Sequence, residues 1–353
     1  MVITTMRIGI IGHFGGQEYY TDGQTVKTKN LYEALKERCE CIQKIDTVDT
    51  YYAKRNPAKF FADMFLCIVR NKKIIVLLSK SGRKMLFPLL YWSAKILRRE
   101  IYHDAIGGQL ANEVAKSSRL KKNIASFQSN WMESKRLVEQ LEKLGINNAR
   151  FVPNFKQIKI VDVEDMPRRF SEPICFCTFS RVMREKGITD AIRTITDINY
   201  EEGRLKVSLD IYGPVEEGYK REFKEMLDAS NGSCNYKGVI SPEQSVDTLK
   251  EYFALLFPTF WEGEGMPGTI IDALSAGLPI IARKWEYSDE MLYHHDNALI
   301  YDKDHPEELK YWINYSVDNF DEIRKMRQRC LNYAQSYSSE IVIKDILKLM
   351  GLS

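Results

Sequence analysis

Short β-branched apolar runs alternate along the chain with longer segments whose apolar residues recur at helical spacing. Residues 7–12, 41–46, 74–78, 100–103, 124–127 and 150–152 predict strands. Residues 23–38, 82–98 and 130–144 predict helices between them. Such alternation implies a parallel sheet covered on both faces. Residues 154–173 mix charges around Pro167 without periodicity, which predicts a link between domains. A second series follows, with strands at 173–179, 205–212 and 255–258. Ser241-Pro242-Glu243-Gln244 predicts a helix start, with Ser as cap, Pro in the first position and Gln closing a capping box. Residues 269–276 are apolar and helix-compatible; Gly277 suits a left-handed stop and Pro279 bars continuation. From Pro306 onward the pattern is helical, and no internal repeat stands out beyond the two α/β halves.

At 353 residues, two domains are the default rather than one very large core. No run reaches the roughly 18 apolar residues a membrane span needs, and the brief apolar start is interrupted by Arg7 and His13. Seven cysteines show no metal-ligand spacing, and their odd number predicts reduced thiols in a cytoplasmic protein. Cys39 and Cys41, like Cys175 and Cys177, would share one face of a strand. Charge changes the picture more. Residues 1–160 hold 28 Lys and Arg against 14 Asp and Glu, while residues 161–353 hold 23 against 34. Between Tyr51 and Arg99 there are twelve basic residues and one acid, Asp63. Within that span, residues 83–99 combine cations with Trp, Tyr and Leu. This fits either an anionic membrane surface or a helix packed on the first sheet with solvated charges. Stacking platforms for nucleic acid are not evident, so no nucleic-acid partner is expected.

The chemistry concentrates in two places. Glu264-Gly265-Met266-Pro267-Gly268-Thr269 places an acid in a glycine-rich loop before a short helix, and Asp272 lies about one turn inside. Free N–H groups at the helix start favour a phosphate, while two acids favour hydroxyls; a phosphorylated sugar or nucleotide satisfies both. The bland alternative is a buried helix with a solvated acid before it. In the second place, the run Cys175 to Ser180 reads as a buried strand, and Arg181 and Lys186 flank a tight loop at its carboxyl end before a helix starting near Gly187. Ligands of open α/β sheets bind at that end, and an Arg fork with a Lys charge suits a diphosphate. Two solvated surface cations would look the same in sequence.

Together these segments resemble glycosyltransferase family 4, retaining sugar-nucleotide transferases of GT-B fold. Arg181, Lys186, Glu264 and the Gly277-Leu278-Pro279 tail match the family pattern in type and spacing; Asp272 departs from it, since the family usually has glutamate there. The likeness covers nearly the whole chain. Gly12-His13-Phe14-Gly15 with Asp22-Gly23-Gln24-Thr25, and Ile106-Gly107-Gly108, look closest to bacterial members that build capsules and other surface polysaccharides. The resemblance implies an α/β fold of two Rossmann-like, doubly wound parallel-sheet domains facing a cleft. Residues 1–158 would form the acceptor side, joined by a returning C-terminal helix at 335–353, and residues 159–334 would bind the donor.

It also implies roles. Arg181, Lys186 and the helix start at Gly268 would stabilise a leaving diphosphate without a metal; no Asp-x-Asp stands in a metal-binding context, and no cofactor is expected. Glu264 would hold donor-sugar hydroxyls, and Asp272 the ribose. Backbone groups of Tyr236-Lys237-Gly238-Val239 would meet the base, most simply uracil. Gly265, Met266, Pro267 and Thr269 complete the donor loop, with Gly16 and Gly23 reaching the donor from the first domain. His103, at a strand end before Gly107-Gly108, is a candidate beside the transferred sugar, with His13 a weaker one. Gly9, Gly12 and Gly15, with Asp46 or Asp49, resemble a dinucleotide site only superficially, because the spacing is not Gly-x-Gly-x-x-Gly. The implied acceptor is a glycan or lipid-linked glycan; the cysteine pattern and residues 83–99 add an expected location, cytoplasmic or peripheral on the inner face of the cytoplasmic membrane. Two other readings stand beside this one: a different sugar-nucleotide enzyme of the same fold, such as an epimerase or phosphorylase, and a non-catalytic sugar-nucleotide or glycan-binding protein.

Overall fold

Two six-stranded sheets, parallel at every pairing, organise the chain in this computed structural model. It describes residues 6–18, 22–38, 42–157, 159–167 and 170–352. The first series runs β1 (Met6–Gly12), α1 (Gly23–Arg38), β2 (Ile42–Asp49), α2 (Tyr52–Arg55), α3 (Pro57–Arg70), β3 (Lys73–Val76), α4 (Lys80–Ile96) and β4 (Glu100–Asp104). It continues with α5 (Leu110–Ala115), α6 (Ser118–Ala125), β5 (Ser129–Met132), α7 (Lys135–Lys143) and β6 (Ala149–Phe151). The second series is β7 (Ile174–Phe179), α8 (Ile188–Glu202), β8 (Val207–Tyr212), α9 (Lys220–Ala229), β9 (Cys234–Gly238), α10 (Ser245–Leu249) and β10 (Leu255–Phe257). It ends with α11 (Gly268–Ser275), β11 (Ile280–Arg283), β12 (Ala298–Tyr301), α12 (Glu308–Asp318) and α13 (Phe320–Ala334), before α14 (Ser339–Leu349).

The chain divides into two compact units, one of Met1–Gln157 with Tyr337–Ser353 and one of Ile158–Ser336. In the first, the strand order is β2-β1-β3-β4-β5-β6; in the second it is β12-β11-β10-β7-β8-β9. Each order reverses once, beside β1 and beside β7, and such a reversal opens a crevice outside the strands' carboxyl ends. Strands β3 and β8 are buried at every residue, as expected where helices cover both faces. In the first unit, Ile8, Ile10, Ile75 and Tyr102 pack with Leu31 and Leu35 of α1 and with Val342, Ile343 and Ile346 of α14. In the second, Phe176, Leu209 and Leu256 pack with Ile188, Ile192 and Ile195 of α8 and Ile313 of α12.

Two expected elements are corrected. Residues 124–127 are not a strand, and 130–144 are not one helix. Ser117 caps α6 at the Leu120 N–H, and Ser134 caps α7 at the Leu137 N–H, leaving residues 129–132 to form β5. The Phe127 carbonyl accepts from the Asn148 side chain, and the Ile124 carbonyl from the Asn130 and Asn148 side chains. The apolar pair belonged to the end of an amphipathic helix and the turn after it. Ser241 does precede a turn of helix at Pro242–Gln244, but its side chain makes no capping bond. Of the cysteine pairs, Cys39 and Cys41 lie outside the described residues, while Cys175 and Cys177 are free thiols on β7.

Two glycines hold the end of β7 against its neighbours. Gly187 has φ +73°, and a Cβ there would lie 2.2 Å from the Pro258 carbonyl oxygen. Gly213 has φ +128°, and a Cβ would lie 1.8 Å from the Ser180 carbonyl oxygen. Gly232 also has positive φ, +80°, but open space around it. Gly232→Ala is expected to cost about 1 kcal/mol from φ alone, and Gly213→Ala at least twice that. Urea unfolding midpoints measure both; equal losses would mean that the Ser180 backbone yields freely.

Candidate functional site

The reversal beside β7 brings the two motifs of the second unit together. The chain leaves β7 at Phe179 and runs through Arg181 to a tight turn at Arg184–Lys186, where left-handed Gly187 admits it to α8. On the other side, β10 ends at Phe257 and leads through Thr259 and Trp261 to Glu264. Backbone bonds join the loops: the Phe260 N–H donates to the Glu185 carbonyl at 2.9 Å. Lys186 forms an ion pair with Glu264, and both are largely buried. The Thr259 hydroxyl donates to the same Glu264 oxygen at 3.1 Å. Arg181 stays exposed, its guanidinium 5.5 Å from the Trp261 ring centre. A cation and an acid thus share one small region, with a second cation braced on an aromatic face.

The glycine-rich loop enters the same region. Trp285 donates from its indole N–H to the Gly265 carbonyl at 3.1 Å, and Met266 is buried. Thr269 donates to the Phe179 carbonyl at 2.7 Å, fixing the start of α11 against the end of β7. Pro267 precedes α11, and no side chain caps it. Helices α4, α6 and α7, by contrast, each carry a serine cap. α11 thus starts at Gly268 without a side-chain N-cap, and a helix start of this kind can attract an anion. Val239 is exposed just beyond β9, where the Gly213 N–H holds the Gly238 carbonyl at 2.9 Å. Asp272 is placed differently from expectation. It faces the interior of the second unit and is 1% exposed, so its carboxylate is not presented to solvent.

In the first unit, Asp49 at the end of β2 organises the loop after β1. Its carboxylate accepts from the N–H groups of Phe14, Gly16 and Tyr51 at 2.8–2.9 Å. This pins Gly16 in a left-handed turn against the Tyr51 ring. Gly23 is exposed and opens α1, where the Asp22 carboxylate accepts from the Gln24 and Thr25 N–H groups. The Thr25 hydroxyl gives its one proton to Asp22 at 2.6 Å, so His13 Nδ1, 2.7 Å away, must donate to it. Asp46 is paired with Arg7 and Asn71, so it is occupied structurally.

His103, expected beside the transferred sugar, lies in the core of the first unit. On β4, alternate side chains face opposite sides of the sheet. Tyr102 joins the core beneath α1 and α14, whereas His103 turns to the α4 face, with its ring centre 4.9 Å from that of Phe87. It is 0% exposed and bonded to Asn130 at 3.2 Å. Burial first, then the Arg83 charge, depresses its pKa to about 3. It touches no surface open to a substrate. Its neighbour Asp104 faces the other way, into a buried cluster that sequence reading missed: Lys27 of α1 lies 2.7 Å from both Asp104 and Glu133 and donates to the Ala105 carbonyl. Burial pushes the Asp104 carboxyl up to about 6 against the opposing pull of Lys27. Burial alone would lower the Lys27 ammonium, but the two carboxylates hold it above the usual lysine range. Trp261 and Thr259 were also missed, although Phe260-Trp261-Glu262-Gly263 leads directly into Glu264. No cluster of three or more metal-ligating acids, histidines or cysteines occurs among the described residues.

Comparison with known proteins defines the fold. The structure of Anabaena HepE with UDP and glucose is similar over 98% of this chain and 99% of that one, with a TM-score of 0.72 at 13% identity. Sucrose-phosphate synthase from Thermosynechococcus elongatus is similar over 98% of both chains, with a TM-score of 0.74 at 13% identity. Identities this low show the fold: two Rossmann-like domains of GT-B type. Residues 164–337, just under half of the chain, match the family model described as glycosyl transferases group 1. Two uncharacterized glycosyltransferases of Methanocaldococcus jannaschii are 27% and 23% identical over 157 and 158 residues, 42% and 45% of this chain. These matches span 37% and 39% of the two relatives' own lengths.

Two outcomes follow from the buried residues. The folded chain keeps His103 neutral down to about pH 3, whereas the unfolded chain binds a proton below about 6.5, so stability falls as pH drops through that window. The stability gap between wild type and His103→Leu is expected to shrink by roughly 1 kcal/mol per pH unit between pH 6 and 4. A pH-independent gap in urea titrations would refute it. Asp272→Glu adds a methylene to a packed site. A loss of roughly 1–3 kcal/mol is expected; an unchanged melting temperature would place the carboxylate at an open surface instead.

Proposed function

We propose that the protein is a retaining, metal-independent glycosyltransferase using a nucleoside-diphosphate sugar, most simply a UDP-sugar. The observation that carries this reading is the junction of Lys186, Glu264 and Arg181 at the β7–β10 reversal, beside the uncapped start of α11. Arg181 and Lys186 take the diphosphate, and the amides at Gly268 and Thr269 share its charge. Glu264 accepts from sugar hydroxyls, and backbone groups around Val239 meet the base. Asp272 acts beneath this site, supporting the helix on which the ribose rests. HepE, solved with UDP and glucose, supports the uridine choice by likeness of fold.

In the reaction, the bond between the sugar's anomeric carbon and the diphosphate oxygen breaks while the acceptor oxygen bonds to that carbon from the same face. The acceptor's proton passes to the departing diphosphate. The two cations stabilise the charge that develops there, which is why fixed donors act more strongly in the transition state than in the ground state. The acceptor is a glycan, free or lipid-linked, in the building of a bacterial surface polysaccharide, and the enzyme works at the inner face of the cytoplasmic membrane.

Calorimetry with uridine and guanosine diphosphates and their sugars, in chelator, tests the donor. Binding of at least one sugar nucleotide is expected, and silence across the panel would defeat the assignment. Arg181→Ala and Lys186→Ala are each expected to lower turnover about 10²–10³-fold, Arg181→Ala with unchanged melting temperature and Lys186→Ala with a lower one, because it leaves the enclosed Glu264 carboxylate without its cation. Normal turnover in both would remove the charge-stabilising role.

A further inference from the structure

We propose that the outward faces of α3 and α4 form one docking surface for an anionic lipid bilayer. This deepens the functional reading by naming the surface that would meet a lipid-linked acceptor's membrane, but its geometry stands without that reading.

Both helices are crossovers, from β2 to β3 and from β3 to β4, and the chain moves the same way across the sheet in each. Right-handed connections therefore place them on the same sheet face. Their inward residues are Phe60, Met64, Cys67 and Ile68 on α3, and Leu86, Phe87, Leu90 and Ser93 on α4. What remains points away from the sheet, and it is strongly apolar. On α3, Phe61, Phe65 and Val69 recur every fourth residue, with Phe65 65% exposed. On α4, Met85, Leu89, Trp92 and Ile96 form a second stripe, with Trp92 58% and Ile96 69% exposed. Arg99 ties the helix ends together by donating to the Val69 carbonyl at 2.9 Å. Apolar residues scattered singly need no explanation, but two stripes on one face do.

The charges choose the occupant. Lys59, Arg70, Lys84, Lys95 and Arg98 are exposed on or beside these helices and form no ion pair among the described residues, while Asp63 is the sole acid within α3 and α4. A second copy docked face to face would set these cations against their own kind. An anionic bilayer instead takes the aromatic and aliphatic side chains into its interface and the cations onto its head groups. No described helix is long and apolar enough to cross a membrane, so the surface would lie on the bilayer.

Sedimentation of the full chain with phosphatidylcholine vesicles, with and without phosphatidylglycerol, tests this in the absence of any sugar nucleotide. Its failure would therefore leave the donor assignment untouched. Pelleting is expected only with the anionic vesicles, and should fall as salt rises. Each of Lys84→Gln, Lys95→Gln and Arg98→Gln should weaken partitioning about fivefold. Phe65→Ser with Trp92→Ser should weaken it at least tenfold without lowering the melting temperature. Equal pelleting with both lipids, none with either, or serine variants that bind as well as wild type would overturn the proposal. So would a wild-type dimer that the serine variant dissociates in velocity sedimentation, which would assign the face to a second copy.

Discussion

A parallel sheet buried on both faces leaves polar chemistry one natural place to stand, the carboxyl edge of its strands. Everything distinctive in this chain follows from that constraint. Strands such as β3 and β8 are buried along their length, and most of their residues serve packing, while Lys73 pairs with Glu100 and Asp210 accepts from Tyr252. The loops that leave the carboxyl ends carry the charges. Where such a charge is enclosed, it must be paired, because an isolated buried ion costs several kcal/mol. Lys186 with Glu264 answers this in the second unit, and Lys27 with Asp104 and Glu133 in the first. The two solutions differ in use. The first stands beside an uncapped helix and an exposed arginine; the second is sealed and ties α1 to the ends of β4 and β5.

Close backbone approach is what makes the open arrangement achievable. Gly213 lets the chain after β8 lie against Ser180, and Gly187 lets the turn carrying Lys186 lie against Pro258. With side chains at these points the loops would stand apart, and Lys186 could not reach Glu264. The distance in sequence between Arg181 and Glu264 is thus bridged by strand order and by two missing Cβ atoms, before any attraction between charges operates.

Much of this was legible in the sequence, because strand alternation and helix stops are local signals. The strands at β1, β4, β7 and β8, and the helix ending at left-handed Gly277, were readable from apolar runs and glycine placement. The region around β5 was not. Its polar residues Ser129 and Asn130 are buried, Asn130 bonded to His103 and to the Ile124 carbonyl, while the apolar Ile124 and Phe127 nearby imitated a strand. Side-chain direction was the other blind spot. His103 and Asp104 are neighbours in sequence, yet the pleat sends one to an aromatic core and the other to a charged cluster. Nothing in the identity of a histidine tells which face of a strand it will occupy, and nothing local announces that Lys27 will meet acids from two distant strands.

The return of α14 to the first sheet has a consequence for how the protein is made. Val342, Ile343 and Ile346 fill the same core as Ile8 and Leu31, although more than three hundred residues separate them. On the ribosome, the first unit emerges early but lacks one helix of its core until synthesis has passed Met350. The second unit has all its own strands and helices before then. Domains usually fold in order of emergence; here the unit whose strands emerge first is completed after the other, and its apolar surface must wait, uncovered or chaperoned, for α14.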